Sequence, residues 1–141
     1  TLLGFDYGPR KIGVAVGQSV TGSASPLVTL RGRDERPDWP GIEALIREWQ
    51  PVALVVGLPY QMDDAEVPWS ARVHRFARQL HGRFRLPVHL VDERLTSFEA
   101  RLELKSRPGR KTSDRFREDA VAAALILETW LCEQSPKPPS P

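Results

Sequence analysis

Sulfur is nearly missing from this chain of 141 residues, which holds one cysteine, Cys132, and one methionine. A lone cysteine excludes an intramolecular disulfide framework and any zinc site built on paired cysteines. Histidine is almost as scarce. His74 and His81 stand seven apart on an expected helix and His89 in an expected strand, with no partner at zinc-ligand spacing. Ser70 and Ser97 have no accompanying base and orienting acid, so no nucleophilic triad is legible. No apolar run reaches the roughly 18 to 20 residues of a membrane span, and the first residues lack the basic-then-apolar plan of a signal peptide; a cytoplasmic protein is expected. Neither sign of charge dominates. Twenty Lys and Arg against 18 Asp and Glu leave a formal net charge of +2, too small by itself to assign a nucleic-acid partner.

What the chain does contain is a core. A hydrophobic share of 40% with 27% charged residues fits one globular domain, expected over residues 1–133, with no room for a second of equal size. Residues 134–141 form a Pro/Ser-rich tail with nothing to pack and are expected to be disordered. Leu2 to Asp6 and Ile12 to Val16 are short apolar runs around Tyr-Gly-Pro-Arg-Lys, a strand, turn and strand; Ser23 to Leu30 reads as a third strand. Ile42, Leu45, Ile46 and Trp49 fall at i, i+3, i+4 and i+7, a helix that Pro51 ends. Val52 to Val56 has the continuous apolar pattern of a strand buried on both faces.

A second helix is expected over residues 68–84, with Val73, Phe76, Ala77, Leu80 and Phe84 inward and Arg72, Arg75, Arg78 and Arg83 around the other side. Val88 to Val91 is a fifth strand. Thr96-Ser-Phe-Glu99 fits a capping box for a helix beginning after Arg94, residues 106–113 read as a polar loop, and a last helix runs over about 114–133. Strands one to three are then antiparallel and four and five parallel, in a mixed five-stranded sheet with helices on both faces.

Three acids draw attention because of where this order puts them. Asp6 ends the first strand, Glu93 follows the fifth, and Asp119 lies in the first turns of the last helix on the side turned toward the sheet. If strands one, four and five are parallel, Asp6 and Glu93 emerge at one carboxyl edge, where open α/β sheets bind ligands. An oxygen-rich cluster of this kind suits Mg²⁺ or Mn²⁺ and phosphoryl transfer. Gly8 would allow close approach to the backbone, and Arg10 and Lys11 offer donors to a neighbouring phosphate. Arg94 can do the same or pair with Asp92. Seven basic residues between Arg101 and Arg117, among them Arg107, Arg110 and Lys111, border Asp119 and favour phosphate steering. The four tryptophans read mainly as core anchors, with Trp69 the one placed to touch substrate.

The segments Gly4-Phe-Asp-Tyr-Gly8 with Arg10-Lys-Ile-Gly-Val-Ala15, Val55-Val-Gly-Leu-Pro59, Asp92-Glu-Arg-Leu-Thr-Ser97 and Asp119-Ala-Val-Ala-Ala-Ala resemble, in order and spacing, the motifs of the YqgF family of Holliday-junction-resolvase relatives. The resemblance spans residue 3 to about residue 131. It implies a ribonuclease H-like fold, a metal-dependent nuclease with Asp6, Glu93 and Asp119 as ligands of Mg²⁺ or Mn²⁺, and a role in maturing the 5′ end of 16S ribosomal RNA. Asp64 replaces a glycine common in relatives, so the loop before the second helix has its own shape.

Other classes stay open at this point. Asp-x-Gly before a hairpin is also how actin-like ATPases and sugar kinases grip phosphate, although those need a second such domain. A non-catalytic nucleic-acid scaffold is the third reading. The partner is structured RNA or branched DNA, and the two imply different assemblies: trimming an RNA end needs only a monomer, whereas cutting both strands of a symmetric junction suggests a homodimer.

Overall fold

The computed structural model describes residues 1–8, 10–33, 36–58, 70–92 and 114–134, the backbone alone for Asp92, residues 114–118 and Gln134. Five strands, β1 (Leu2–Asp6), β2 (Lys11–Gln18), β3 (Ser23–Arg31), β4 (Ala53–Leu58) and β5 (Val88–Asp92), lie in the order β3-β2-β1-β4-β5. β2 is antiparallel to both β1 and β3, whereas β1, β4 and β5 run parallel. The mixed sheet expected from the sequence is therefore the sheet observed. Three helices, α1 (Trp39–Trp49), α2 (Ser70–Phe84) and α3 (Asp114–Gln134), are seen among the described residues.

Strand alternation divides the core in two. Leu3, Phe5, Ile12, Val14, Leu54 and Val56 point to one face, where Ile42 of α1 and Val73, Phe76 and Leu80 of α2 close over them. Leu2, Ala53, Val55 and Val91 point to the other, against Ile126, Leu127 and Leu131 of α3. β4 is buried along its whole length because both faces are covered, which is why its sequence is continuously apolar rather than alternating.

Local chemistry sets the boundaries. The side chain of Asp38 accepts the Gly41 N–H at 3.1 Å and caps α1, with Pro40 in the first turn where a missing N–H costs nothing. Gln50 ends α1 in the left-handed region at φ 45°, and its N–H returns to the Ile46 carbonyl at 2.8 Å. β4 starts at Ala53 and reaches Leu58, later at both ends than the run Val52 to Val56 suggests. Val52 is 66% exposed, with its N–H bonded to the Thr1 carbonyl, whereas Gly57 and Leu58 pair with Val91 and Asp92. β2 likewise extends past Val16, because Gly17 and Gln18 continue the ladder to β3.

α3 buries a wide stripe that includes Ala123 and Ile126. Ala120, Val121, Ala124, Leu127 and Leu131 are also buried. It lies across β1, β2 and β3, and Glu128 accepts the Ala24 N–H of the edge strand at 3.3 Å. The capping-box helix after Arg94, the loop 106–113, Trp69 and the tail beyond Gln134 fall outside the described residues.

Candidate active site

The α3 face of the sheet is cut down to backbone where the helix meets it. A Cβ on Gly4 would come within 2.9 Å of the Leu127 Cβ and 3.0 Å of the Ala123 carbonyl, and one on Gly17 within 2.8 Å of Leu127. On Gly13 it would collide with the backbone carbonyl of Asp119. Glycines inside strands commonly mark such close approach, and here they let α3 rest on β1 and β2. Three glycines on one face of two adjacent strands are a sequence signal for this seat that the sequence reading did not use.

Asp6 belongs to the same face, since Leu2, Gly4 and Asp6 alternate with Leu3 and Phe5. Its register partner across the antiparallel pair is Gly13, and such partners have Cα atoms roughly 4.5–5.5 Å apart. Asp119 is seated on Gly13. The fold thus places both Asp6 and the backbone of Asp119 beside Gly13. Both are partly buried.

Lys11 shares this face by β2 alternation with Gly13. Its ammonium lies 3.1 Å from Asp119 Oδ2, with the two side chains 43% and 26% exposed. The approach satisfies ion-pair distance but is not directed as a hydrogen bond, so the buried Oδ2 has no hydrogen-bond partner. A hard oxygen thus faces a positive charge at the sheet edge without a well-formed bond to it. Sequence reasoning gave Lys11 to phosphate; its contact with Asp119 was not legible there.

Gly8 and Arg10 lie in the turn that leads into β2. A Cβ on Gly8 would sit 2.7 Å from the Lys11 carbonyl, so the turn itself demands glycine at this position. Arg10 is exposed, and its carbonyl accepts the Gly32 N–H at 3.0 Å. β5 ends at Asp92 beside Leu58, on the carboxyl edge where Asp6 lies. Glu93, Arg94, Arg107, Arg110 and Lys111 fall outside the described residues. Among the described residues, no group of three or more His, Cys, Asp or Glu side chains gathers as a metal cage. His89 stacks on Trp130 with ring centroids 4.7 Å apart, and Cys132 is exposed. No described helix is long and apolar enough to cross a membrane.

Among solved structures, the chain is similar to Thermus thermophilus RuvC, with a TM-score of 0.53 and 14% identity over 94% of this chain and 95% of that one. It is also similar to the Fowlpox virus resolvase in its complex with Holliday junction DNA, with a TM-score of 0.54 and 5% identity over 94% and 97%. At such identities the likeness establishes the shared resolvase fold, of ribonuclease H-like type. Curated relatives are much nearer in sequence. A protein of Pseudomonas putida named "Putative pre-16S rRNA nuclease" is 56% identical over 92% of this chain and 93% of its own length. One of the same name from Azotobacter vinelandii is 54% identical over 94% of both. Residues 1–133 match the family model RuvX, described as Holliday junction resolvase, and the chain belongs to that family.

Proposed function

We propose that this protein is a divalent-metal-dependent nuclease that hydrolyses phosphodiester bonds in structured RNA, namely the precursor of 16S ribosomal RNA. The observation that carries the reading is the approach of Asp6 and Asp119, on either side of Gly13, at the carboxyl edge of the sheet, with a buried Asp119 oxygen that faces the Lys11 ammonium and accepts no hydrogen bond. That oxygen, and a donor set of carboxylates with no sulfur or imidazole, fit Mg²⁺ or Mn²⁺. Asp6, Asp119 and Glu93 are the residues assigned to hold it. β5 ends at Asp92 on this edge, and Glu93 is the next residue in the sequence. When bound, such an ion supplies Lewis-acid charge at a phosphoryl oxygen and lowers the pKa of water.

The chain's own side chains do the rest. Lys11, which pairs with Asp119, would present its ammonium to a substrate phosphate once an ion was held there. Arg10, exposed at the turn, serves the next phosphate, and Arg94, Arg107, Arg110 and Lys111 are the further cations assigned to substrate phosphates. Gly8 holds the turn that carries Arg10 and Lys11.

RNA is preferred because the relatives that share half or more of their residues with this chain carry the pre-16S rRNA name. The family description favours a second substrate, the four-way DNA junction. Purified protein in Mg²⁺ or Mn²⁺ should be offered a 16S precursor bearing its 5′ extension and a synthetic four-way junction, with Asp6→Asn as control. Preferential, Asp6-dependent trimming of the RNA supports the reading; cleavage of the junction alone moves the assignment to DNA. Mass in solution then separates the monomer that end-trimming allows from the homodimer that paired cuts suggest.

A further inference from the structure

The turn that carries Arg10 and Lys11 does not stand alone at the sheet edge. β3 ends at Arg31, paired with Lys11, and the next residue adds one more bond beyond that ladder: the Gly32 N–H donates to the Arg10 carbonyl at 3.0 Å. The chain then pairs with itself in a tight hairpin. The Arg33 N–H donates to the Arg36 carbonyl at 3.1 Å, and the Arg36 N–H returns to the Arg33 carbonyl at 2.8 Å.

Position 32 needs glycine for the same kind of reason as position 8. A Cβ on Gly32 would collide with the Arg36 carbonyl, the group that closes the hairpin. The obstruction is backbone, so no change of rotamer relieves it. Gly8, Arg10 and Lys11 on one side and Gly32, Arg36 and Pro37 on the other line a crevice too narrow to admit a water molecule. Within that crevice no solvent can replace the bond from Gly32 to Arg10, so its loss would leave the Arg10 carbonyl poorly held.

The hairpin is fixed to the core at its far end. Pro37 is followed by Asp38, whose side chain caps α1, and by Trp39, whose ring stacks on Phe76 at 5.6 Å between centroids. The ladder to β2 holds the near end. A short backbone brace thus runs from α1 to the residue before β2, and that residue is Arg10, whose exposed side chain is assigned to a substrate phosphate. A side chain on a turn is placed only as well as its backbone is held.

We infer that Gly32 is a positioning residue for substrate: its N–H, presented by the Gly32–Arg36 hairpin, holds the Arg10 carbonyl so that the Arg10 guanidinium meets a phosphate of the bound strand. This rests on the nuclease reading for the identity of the strand, but binding can be measured without cleavage. In an Asp6→Asn background, a short fluorescein-labelled single-stranded RNA is titrated by anisotropy over a salt series. Gly32→Ala removes no charge, yet it should weaken binding about fivefold and reduce the log–log salt slope by about 0.7, the share of one phosphate contact on a single strand. Arg10→Ala should do the same, and the two substitutions together should do no more than Arg10→Ala alone. With Asp6 intact, the Mn²⁺ affinity of Gly32→Ala, read by calorimetry, should equal that of the parent. A parental slope in Gly32→Ala at preserved melting temperature overturns the brace; so does a loss that adds to that of Arg10→Ala, or a fall in Mn²⁺ affinity, which would put the effect at the acids. If Gly32→Ala melts early, hydrogen exchange at the Gly32 amide of the Asp6→Asn protein decides instead: saturating RNA should slow it by about threefold or more, and an unchanged rate overturns the brace. Cleavage by protein with an intact Asp6 is scored separately. The slope change without Asp6-dependent cleavage sinks the nuclease and keeps the brace, and cleavage with an unchanged slope does the reverse.

Discussion

Gly13 and Asp119 meet so closely that a single methyl group on the first would occupy the carbonyl of the second. Because Gly13 is also the register partner of Asp6, that contact sets how near the two carboxylates come. The geometry of the site is decided by a residue that has no side chain.

Gly13→Ala is therefore expected to push the start of α3 off the sheet. The obstructing atom is backbone and cannot rotate away, so the cost should reach or exceed the usual 1–3 kcal/mol of overpacking. Chemical denaturation should show the loss, and metal-dependent cleavage should fall with it. Gly82→Ala is the informative opposite. A Cβ there meets nothing, and α2 is helical at that position, so about 0.5–1 kcal/mol of stabilisation is expected in the same assay.

Much of the fold was legible because its signals are local. A continuous apolar run marked β4, a 3.6-residue stripe marked α1, and Pro51 marked its end. The position of Asp6 was legible for a different reason: the ends of parallel neighbouring strands share an edge, and β1 ends at Asp6 on the edge where β5 ends at Asp92. What the pattern did not carry was packing. Leu127 and Leu131 follow Ala123 and Ala124 around α3, and only the glycine trench beneath explains why that face is the wide one. The Lys11–Asp119 contact joins residues 108 positions apart and has no sequence signature. Arg36 and Trp39 likewise join α2 only through tertiary structure.

Removing Lys11 should change metal affinity more than stability. Lys11→Gln takes away the ammonium that occupies Asp119, and a partly exposed pair is worth about 0.2–1 kcal/mol. Mn²⁺ should accordingly bind up to about fivefold more tightly, read by calorimetric titration, while the KM for RNA rises because a phosphate donor is gone. Unchanged or weaker Mn²⁺ binding would mean that Lys11 does not compete for the site.

Phe76 is the hinge of the other core. It touches Phe5 edge-on at 5.8 Å, Tyr7 at 4.9 Å and Trp39 at 5.6 Å between ring centroids. Phe76→Ala should cost about 3–5 kcal/mol. Thermal melting gives the number, and a loss below about 1 kcal/mol would contradict the packing described for the α1/α2 face.

The central claim is that Asp6 and Asp119 act together on a metal ion, and the rate of RNA cleavage by Asp119→Asn in saturating Mg²⁺ tests it most directly. The substitution removes one negative charge with little change in volume, and the ion pair it sacrifices is part-exposed, so the fold should persist. A ligand to a catalytic ion contributes several kcal/mol, and each 1.36 kcal/mol is tenfold in rate, so at least a hundredfold loss is expected with the melting temperature nearly unchanged. Cleavage within a few-fold of the parent protein, at equal metal and equal stability, would contradict the account.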